Sequence, residues 1–409
     1  MINISKFGSM LNSIDLSRFS KYVASLISFT VVAIQPNFCQ SLSTGHSQMI
    51  FVDQTRNNRE VEIEVYYPSD TPGENTALAI DNGNKFPVIA FGHGFFMSWD
   101  SYEYLWNLLT SNGFIVAFPT TESGLAPSHE DFGKDLAFVL GSLKNEALIV
   151  ESPFYDKIDS TSCVMGHSMG GGAAHLAASF NPSITAIVSL AAAETTPSAI
   201  SASGSISVPA LIFAGVNDCI TPIAEHQQPM YDALASACKT LISIDGASHC
   251  QFAGNNVACS FGEFTCSPSA EITADEQHAI VASFLIPWLR NYLKNDCNQG
   301  LLFQNSLSDA AVSYQQNCSV CSSVSTNHPA DEFASLRLEN NCLIIKSDKN
   351  QQLELRITDT CGKVVRFESV EVTQRADNSF RLYNMSGVYI ISVSDGKHLN
   401  SIKILIHLD

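Results

Sequence analysis

Ser168 stands between two glycines in "GHSMG" (166–170), where an apolar run ends and an alanine-rich, helix-patterned stretch begins. A serine hydroxyl is a weak nucleophile at its own pKa. It needs a base within hydrogen-bond reach, a carboxylate to orient that base, and donors for the developing oxyanion. A strand-to-helix turn flanked by glycines suits the first need, because the backbones pass closely while the hydroxyl stands above the carboxyl end of the strand. The same five residues also occur as an ordinary tight turn, so the partners decide. They should follow in the order serine, acid, histidine, each after a later strand. "LIFAGVNDCITP" supplies Asp218, 50 residues after Ser168, and "LISIDGASHCQF" supplies His249, 31 residues further on, leaving room for a strand and a helix between each pair. Glu225 and Asp245 are rival acids, although Asp245 precedes a glycine in a turn. His226 and His278 fall within helical patterns, His129 precedes one, and His93 comes too early in the order and is read as shaping its loop. The Met169 amide is one expected oxyanion donor. The second should come from "FGHGFFMSWDSY" after the first central strand, with Phe95 the first choice and Phe96 the second. Phe95, Met169 and Trp99 would form an apolar rim, with Phe96, Glu194 and Thr195 as further pocket candidates.

These residues need a scaffold, and the surrounding pattern supplies one. "FPVIAFGHG" (86–94), "FIVAFP" (114–119), "SCVMG" (162–166), "TAIVSLA" (185–191), "PALIFAG" (209–215) and "KTLISIDG" (239–246) are buried-strand patterns. Helix-length segments such as "SYEYLWNLLTSNG" lie between them, which predicts a mostly parallel sheet covered on both faces, an α/β fold. "QMIFVDQTRNNREVEIEVYYP" alternates around a polar turn, as an antiparallel edge hairpin does. "TADEQHAIVASFLIPWLRNYL" (273–293) is a long amphipathic helix, with Thr273 as N-cap and Glu276 completing a capping box. The catalytic domain is therefore expected over 46–294. Residues 295–330, rich in Asn, Gln and Ser, are expected to be a linker, and the short alternating strands of 331–409 a small β-sandwich.

The 409 residues suffice for two domains, and with 45% hydrophobic and 15% charged residues a large core is available. A formal charge of −18 argues against nucleic acid and anionic membrane surfaces as partners. "RFSKYVASLISFTVVAI" (18–34) joins basic residues to an apolar run short for a membrane span, so residues 1–40 are expected to be a signal peptide, with an uncleaved anchor as the alternative. Of 12 cysteines, ten fall at or after Cys219, which in an exported protein points to disulfides. Cys318 and Cys321 form a C-x-x-C pair without the second pair or histidines that zinc needs, and neither metal nor organic cofactor is implied. Cys219 and Cys250 directly follow Asp218 and His249, so a bond between them would tie those loops together, and Cys259 with Cys266 would close the insert "NNVACSFGEFTC".

"GHGF", "GHSMGGGA", "NDCITP" and "GASH" resemble the polyester-hydrolase, cutinase-like and chlorophyllase-like branch of the α/β hydrolases, over about residues 50–294. That resemblance implies Ser168 as nucleophile, His249 as base, Asp218 as orienting acid, Phe95 and Met169 as oxyanion donors, and an ester substrate. Where poly(ethylene terephthalate) hydrolases commonly carry a pocket tryptophan, this chain has "AAAETTPSA" (191–199), without an aromatic residue. The C-terminal "DTCGKVVRF", "LYNMSGVYIISV" and "SIKILIH" resemble the sorting domain of the type IX secretion system of Bacteroidota, which implies that machinery as a partner and the cell surface or medium as the destination. The expected activity is a secreted, monomeric serine esterase. A lipase or phospholipid acyl hydrolase, an amide-cleaving relative, and a non-catalytic surface binding protein are the alternatives.

Overall fold

The computed structural model describes residues 42–80, 85–254, 256–318, 334–339, 342–359, 364–382, 387–395 and 399–406. The expected signal peptide lies outside them, as does Cys321. The main sheet is built from β1 (Ser43–Asp53), β2 (Arg59–Ser69), β3 (Gly73–Glu74), β4 (Phe86–Gly92), β5 (Ile115–Pro119), β6 (Ile158–His167), β7 (Ala186–Leu190), β8 (Ala210–Gly215), β9 (Cys238–Ile244) and β10 (Val312–Cys318). Their order is β10-β9-β8-β7-β6-β4-β5-β2-β1-β3. The strands β4 to β9 run parallel, whereas β1 and β2 form the antiparallel hairpin expected from their alternation, β2 pairs antiparallel with β5, and β10 pairs antiparallel with β9.

The near-continuous apolar runs of the parallel strands follow from burial on both faces. In β4, Val88 and Ala90 enter one core while Ile89 and Phe91 enter the other; in β8, Ala210, Ile212 and Ala214 face one way and Leu211 and Phe213 the other. The helices α1 (Glu103–Ser111), α2 (His129–Glu146), α3 (Met169–Phe180), α4 (Ala199–Ser203), α5 (Gln227–Ala233), α6 (Val257–Glu263), α7 (Ala274–Leu293) and α8 (Cys297–Ser306) connect and cover the strands. The first core takes Phe132 and Leu136 of α2, Ala173 of α3 and Met230 of α5, and the second takes Leu105 of α1, Phe284 and Trp288 of α7 and Phe303 of α8. The capping box expected at the start of α7 is formed between Thr273 and Glu276. Among the described residues no helix is long and apolar enough to cross a membrane.

The segment expected to be a linker is corrected over residues 297–318. Residues 297–318 form α8 and β10, and β10 extends the sheet with its Cys318 directly opposite, and disulfide-bonded to, Cys238 of β9. The polar composition of "VSYQQNC" hid this strand, because an edge strand buries little and carries no apolar run.

The C-terminal strands are β11 (Ser335–Glu339), β12 (Cys342–Lys346), β13 (Gln351–Asp359), β14 (Val364–Val372), β15 (Asn378–Arg381), β16 (Gly387–Ser394) and β17 (Leu399–Ile406). They form two antiparallel sheets, β11-β12-β15 and β14-β13-β16-β17. Leu353, Leu355 and Ile357 alternate with exposed Gln352, Glu354 and Arg356 and meet Leu343, Ile345 and Val393 in a common core, the expected small sandwich.

Candidate active site

The strand β6 delivers its last residue, His167, against α3, and Ser168 between them adopts φ 54° and ψ −120°. A non-glycine residue there is strained and persists only where its surroundings over-determine it. They do. The Ser168 amide donates to the Leu190 carbonyl at 3.0 Å, and the Ser168 carbonyl accepts from the amides of Gly172 at 3.1 Å and Ala193 at 2.9 Å. The flanking glycines are required by close backbone approach. A Cβ on Gly166 would lie 2.1 Å from the Gly170 carbonyl oxygen, and one on Gly170 would lie 2.1 Å from that of Gly92.

Asp218 follows β8, and His249 follows β9. The His249 Nδ1 lies 2.8 Å from Asp218 Oδ2, with both side chains almost fully buried. The other carboxylate oxygen of Asp218 accepts from the amides of Ile220 and Thr221, each at 2.8 Å, so the acid cannot swing away. Thr221 was not singled out in the sequence, although it stands within "NDCITP". Its hydroxyl lies 2.8 Å from Asp218 Oδ2, 3.0 Å from His249 Nδ1 and 3.1 Å from the Ala191 carbonyl. The hydroxyl therefore adds a second polar contact at the acid–imidazole junction and ties it to the loop after β7.

A second network, also missed, joins the three loops from behind. The Gly94 amide donates to the Tyr102 hydroxyl at 2.8 Å; that hydroxyl lies 3.0 Å from His167 Nδ1, and His167 Nε2 lies 3.1 Å from the His249 carbonyl. A carbonyl only accepts, so Nε2 carries the hydrogen and Nδ1 accepts from Tyr102. Complete burial holds the His167 imidazole well below its ordinary pKa, so it stays neutral and this pattern of donors persists. The residue type at 167 inside the glycine motif was the available signal, but nothing in the sequence placed Tyr102 beside it.

The remaining candidates separate cleanly. Glu225 and Asp245 are exposed. His278 stacks on Tyr104 at 3.5 Å and bonds the Ala253 carbonyl. His226 and His129 each accept, through Nδ1, an amide of the 191–199 loop, from Glu194 and Thr196 respectively. His93 lies between the carbonyls of Gly94 and Thr121, at 2.9 Å from each, and so shapes its loop. Met169 opens α3, where an amide has no partner in a preceding turn. Since Tyr102 takes the Gly94 amide, the next amide in that loop is Phe95's; the Phe95 and Phe96 side chains are both half exposed, and Phe96 has φ 57°. Of the pocket candidates, Trp99 stacks on His46 and lies tilted against Tyr66 and Trp106, the Glu194 carboxylate caps the Ile200 amide, and Thr195 is buried against the chain near Gly172.

The disulfide pairing differs from expectation. Cys219 is bonded to Cys266 and Cys250 to Cys259, with Cα separations of 5.6 and 5.7 Å. The insert folds as α6, which brings one of its cysteines to each loop, so each loop is tied to the insert and not to the other loop. Glu263 of the same insert accepts from the Cys250 amide at 2.7 Å and the Ser248 hydroxyl at 3.2 Å.

A mostly parallel sheet with helices on both faces, a strained serine at a strand-to-helix turn, and an acid and a histidine after later strands define an α/β hydrolase. A family model described as PET hydrolase-like matches residues 61–319, and one described as a secretion system C-terminal sorting domain matches 339–407. The chain is 27% identical over 264 residues to Cutinase 2 of Thermobifida cellulosilytica, covering 64% of this chain and 86% of that protein. It is also 27% identical over 264 residues to Cutinase cut1 of Thermobifida fusca, covering 64% and 71%. With a bis(hydroxyethyl) terephthalate hydrolase of Streptomyces coelicolor it shares 27% over 235 residues, covering 57% and 62%. The protein belongs to the PET hydrolase-like family; it is a carboxylic ester hydrolase, and its C-terminal domain marks it for secretion.

Proposed function

We propose that Ser168, His249 and Asp218 carry out ester hydrolysis through an acyl-enzyme. The Ser168 oxygen attacks the ester carbonyl while His249 Nε2 takes the hydroxyl proton, and the imidazolium returns it to the departing alcohol. Water then repeats the sequence on the acyl-enzyme, releasing the acid and restoring the serine. Asp218, with Thr221, keeps Nδ1 protonated and facing away, so that Nε2 is the basic nitrogen. The amides of Met169 and Phe95 serve the oxyanion. The observation that supports this reading best is the buried 2.8 Å contact between His249 and Asp218, anchored on loops after successive strands of the sheet that carries Ser168.

The substrate class we infer is a neutral ester of the polyester or cutin type, following the relatives named as cutinases and as a bis(hydroxyethyl) terephthalate hydrolase. The loop 191–199 offers no aromatic clamp, so Phe95 and Phe96 are the aromatic surface of the proposed acyl site. The catalytic unit extends through β10, and the sorting domain delivers it through the type IX machinery. Hydrolysis of p-nitrophenyl esters from acetate to palmitate and of an amorphous aromatic polyester film, by the full chain and by Ser168→Ala, tests the reading. Serine-dependent turnover supports it, and its chain-length profile separates short-ester and polyester activity from a lipase. A folded protein without turnover on any of these would shift the assignment to amide substrates or to binding alone.

A further inference from the structure

The segment between His249 and α7 is fastened to the catalytic loops at three points. Cys266 bonds to Cys219 beside Asp218, Cys259 bonds to Cys250 beside His249, and the Glu263 carboxylate holds the Cys250 amide and the Ser248 hydroxyl. Cys259 and Glu263, four residues apart, occupy one side of α6. Val257, Phe261 and Phe264 recur at i, i+4 and i+7 and so occupy the other. A stripe with that spacing ordinarily faces a core. Here the anchors hold the opposite side inward, and Val257, Phe261 and Phe264 are 89%, 83% and 85% exposed. The apolar surface continues onto the Asp218 loop: Ile220 is also exposed, and its Cδ1 lies 3.6 Å from where a Cβ on Gly262 would stand.

Charge narrows the choice of occupant. Between Gly246 and Ala270 the only Asp, Glu, Lys or Arg is Glu263, whose carboxylate is engaged with the His249 loop. An uncharged apolar stripe on a chain of net charge −18 suits a neutral surface, and the overall field disfavours an anionic lipid one. We propose that the outer face of α6, with Val257, Phe261 and Phe264, is a docking platform for neutral apolar segments of a polyester chain beyond the ester being cleaved. This rests on the ester-hydrolase reading of the same site and adds a preference for insoluble polymer over small esters.

The test uses the full chain. Adsorption to amorphous aromatic polyester film is compared between Ser168→Ala and the same variant carrying Phe261→Ser and Phe264→Ser, which reads the platform without catalysis. In the active chain, the two Phe substitutions are assayed on film and on p-nitrophenyl acetate. Adsorption and film hydrolysis should each fall about tenfold, the scale expected for losing part of two phenyl contacts, while kcat/KM on p-nitrophenyl acetate stays within about twofold. Equal loss on both substrates would overturn the proposal in favour of α6 merely positioning the loops, and unchanged adsorption would overturn it outright. A concentration-dependent dimer abolished by the same substitutions would assign the face to a second copy, and retention on phosphatidylcholine vesicles but not on film would assign it to lipid. If the wild type shows no Ser168-dependent esterase activity, the functional reading fails, and the adsorption comparison still decides the platform.

Discussion

The serine turn and the insert after His249 position neighbouring parts of one candidate site by opposite means. At Ser168 the chain dispenses with side chains: Gly166, Gly170 and Gly92 bring backbone onto backbone, and three backbone hydrogen bonds pin a strained residue. At His249 the chain relies on side chains from distant positions, through two disulfides, Glu263, Thr221, and the His167–Tyr102 pair. Local close packing leaves little room for substitution and leaves a short sequence motif. Cross-linking tolerates sequence change in between and leaves cysteines whose partners only the fold selects. The difference teaches that neither region's rigidity can be inferred from the other's.

Chemistry gives the largest expected contrast. Ser168→Ala should lower kcat by about 10⁴-fold or more with the melting temperature essentially unchanged, and activity that survives would dissolve the comparison by moving the nucleophile elsewhere. Asp218→Asn should cost about 10³- to 10⁴-fold, since Nδ1 would no longer be held as a donor, whereas Glu225→Gln on the exposed rival should leave kcat within about twofold. A reversed ranking would reassign the acid. Thr221→Val should cost about tenfold in kcat, the order of one lost polar contact in a buried site.

Stability separates the two regions next. Gly170→Ala sets a methyl against the Gly92 carbonyl and should destabilise the whole domain by about 2–4 kcal/mol in urea unfolding. Cys250→Ser with Cys259→Ser opens a short loop. It should cost about 2 kcal/mol, with faster amide exchange concentrated in residues 250–266 and the sheet still protected. Equal, global exchange in both variants would mean that the insert is as integral to the core as the serine turn.

The last effect is pH-dependent and concerns α3, the helix beneath the serine. Burial lowers the His175 imidazole to about 4, where it sits between Ser203 and Ser189. The folded value lies below the unfolded one, so the stabilisation is complete above the ordinary imidazole range near 6.5 and is lost as pH falls toward 4. Between pH 7 and pH 4 the wild type should therefore lose more unfolding free energy than His175→Gln, by on the order of 1–3 kcal/mol. Parallel losses in the two proteins would remove His175 as the cause.

By itself the sequence determined the parallel sheet, the hairpin before it, the capped helix α7 and the C-terminal sandwich. Each of these depends on short-range periodicity, on capping residues or on alternation, and such patterns survive in one dimension. The positions of Ser168, Asp218 and His249 were legible for the same reason, since each follows an apolar strand in a fixed order. The tertiary structure alone decided what meets what. Cys219 and Cys250 each find a cysteine of the insert because α6 folds back toward both loops; Tyr102 reaches His167 because α1 and β6 bring distant segments together; and the polar β10 joins the sheet because β9 offers it an open edge. Partner choice depends on distances between segments far apart in the chain, and those distances exist only once both cores have formed.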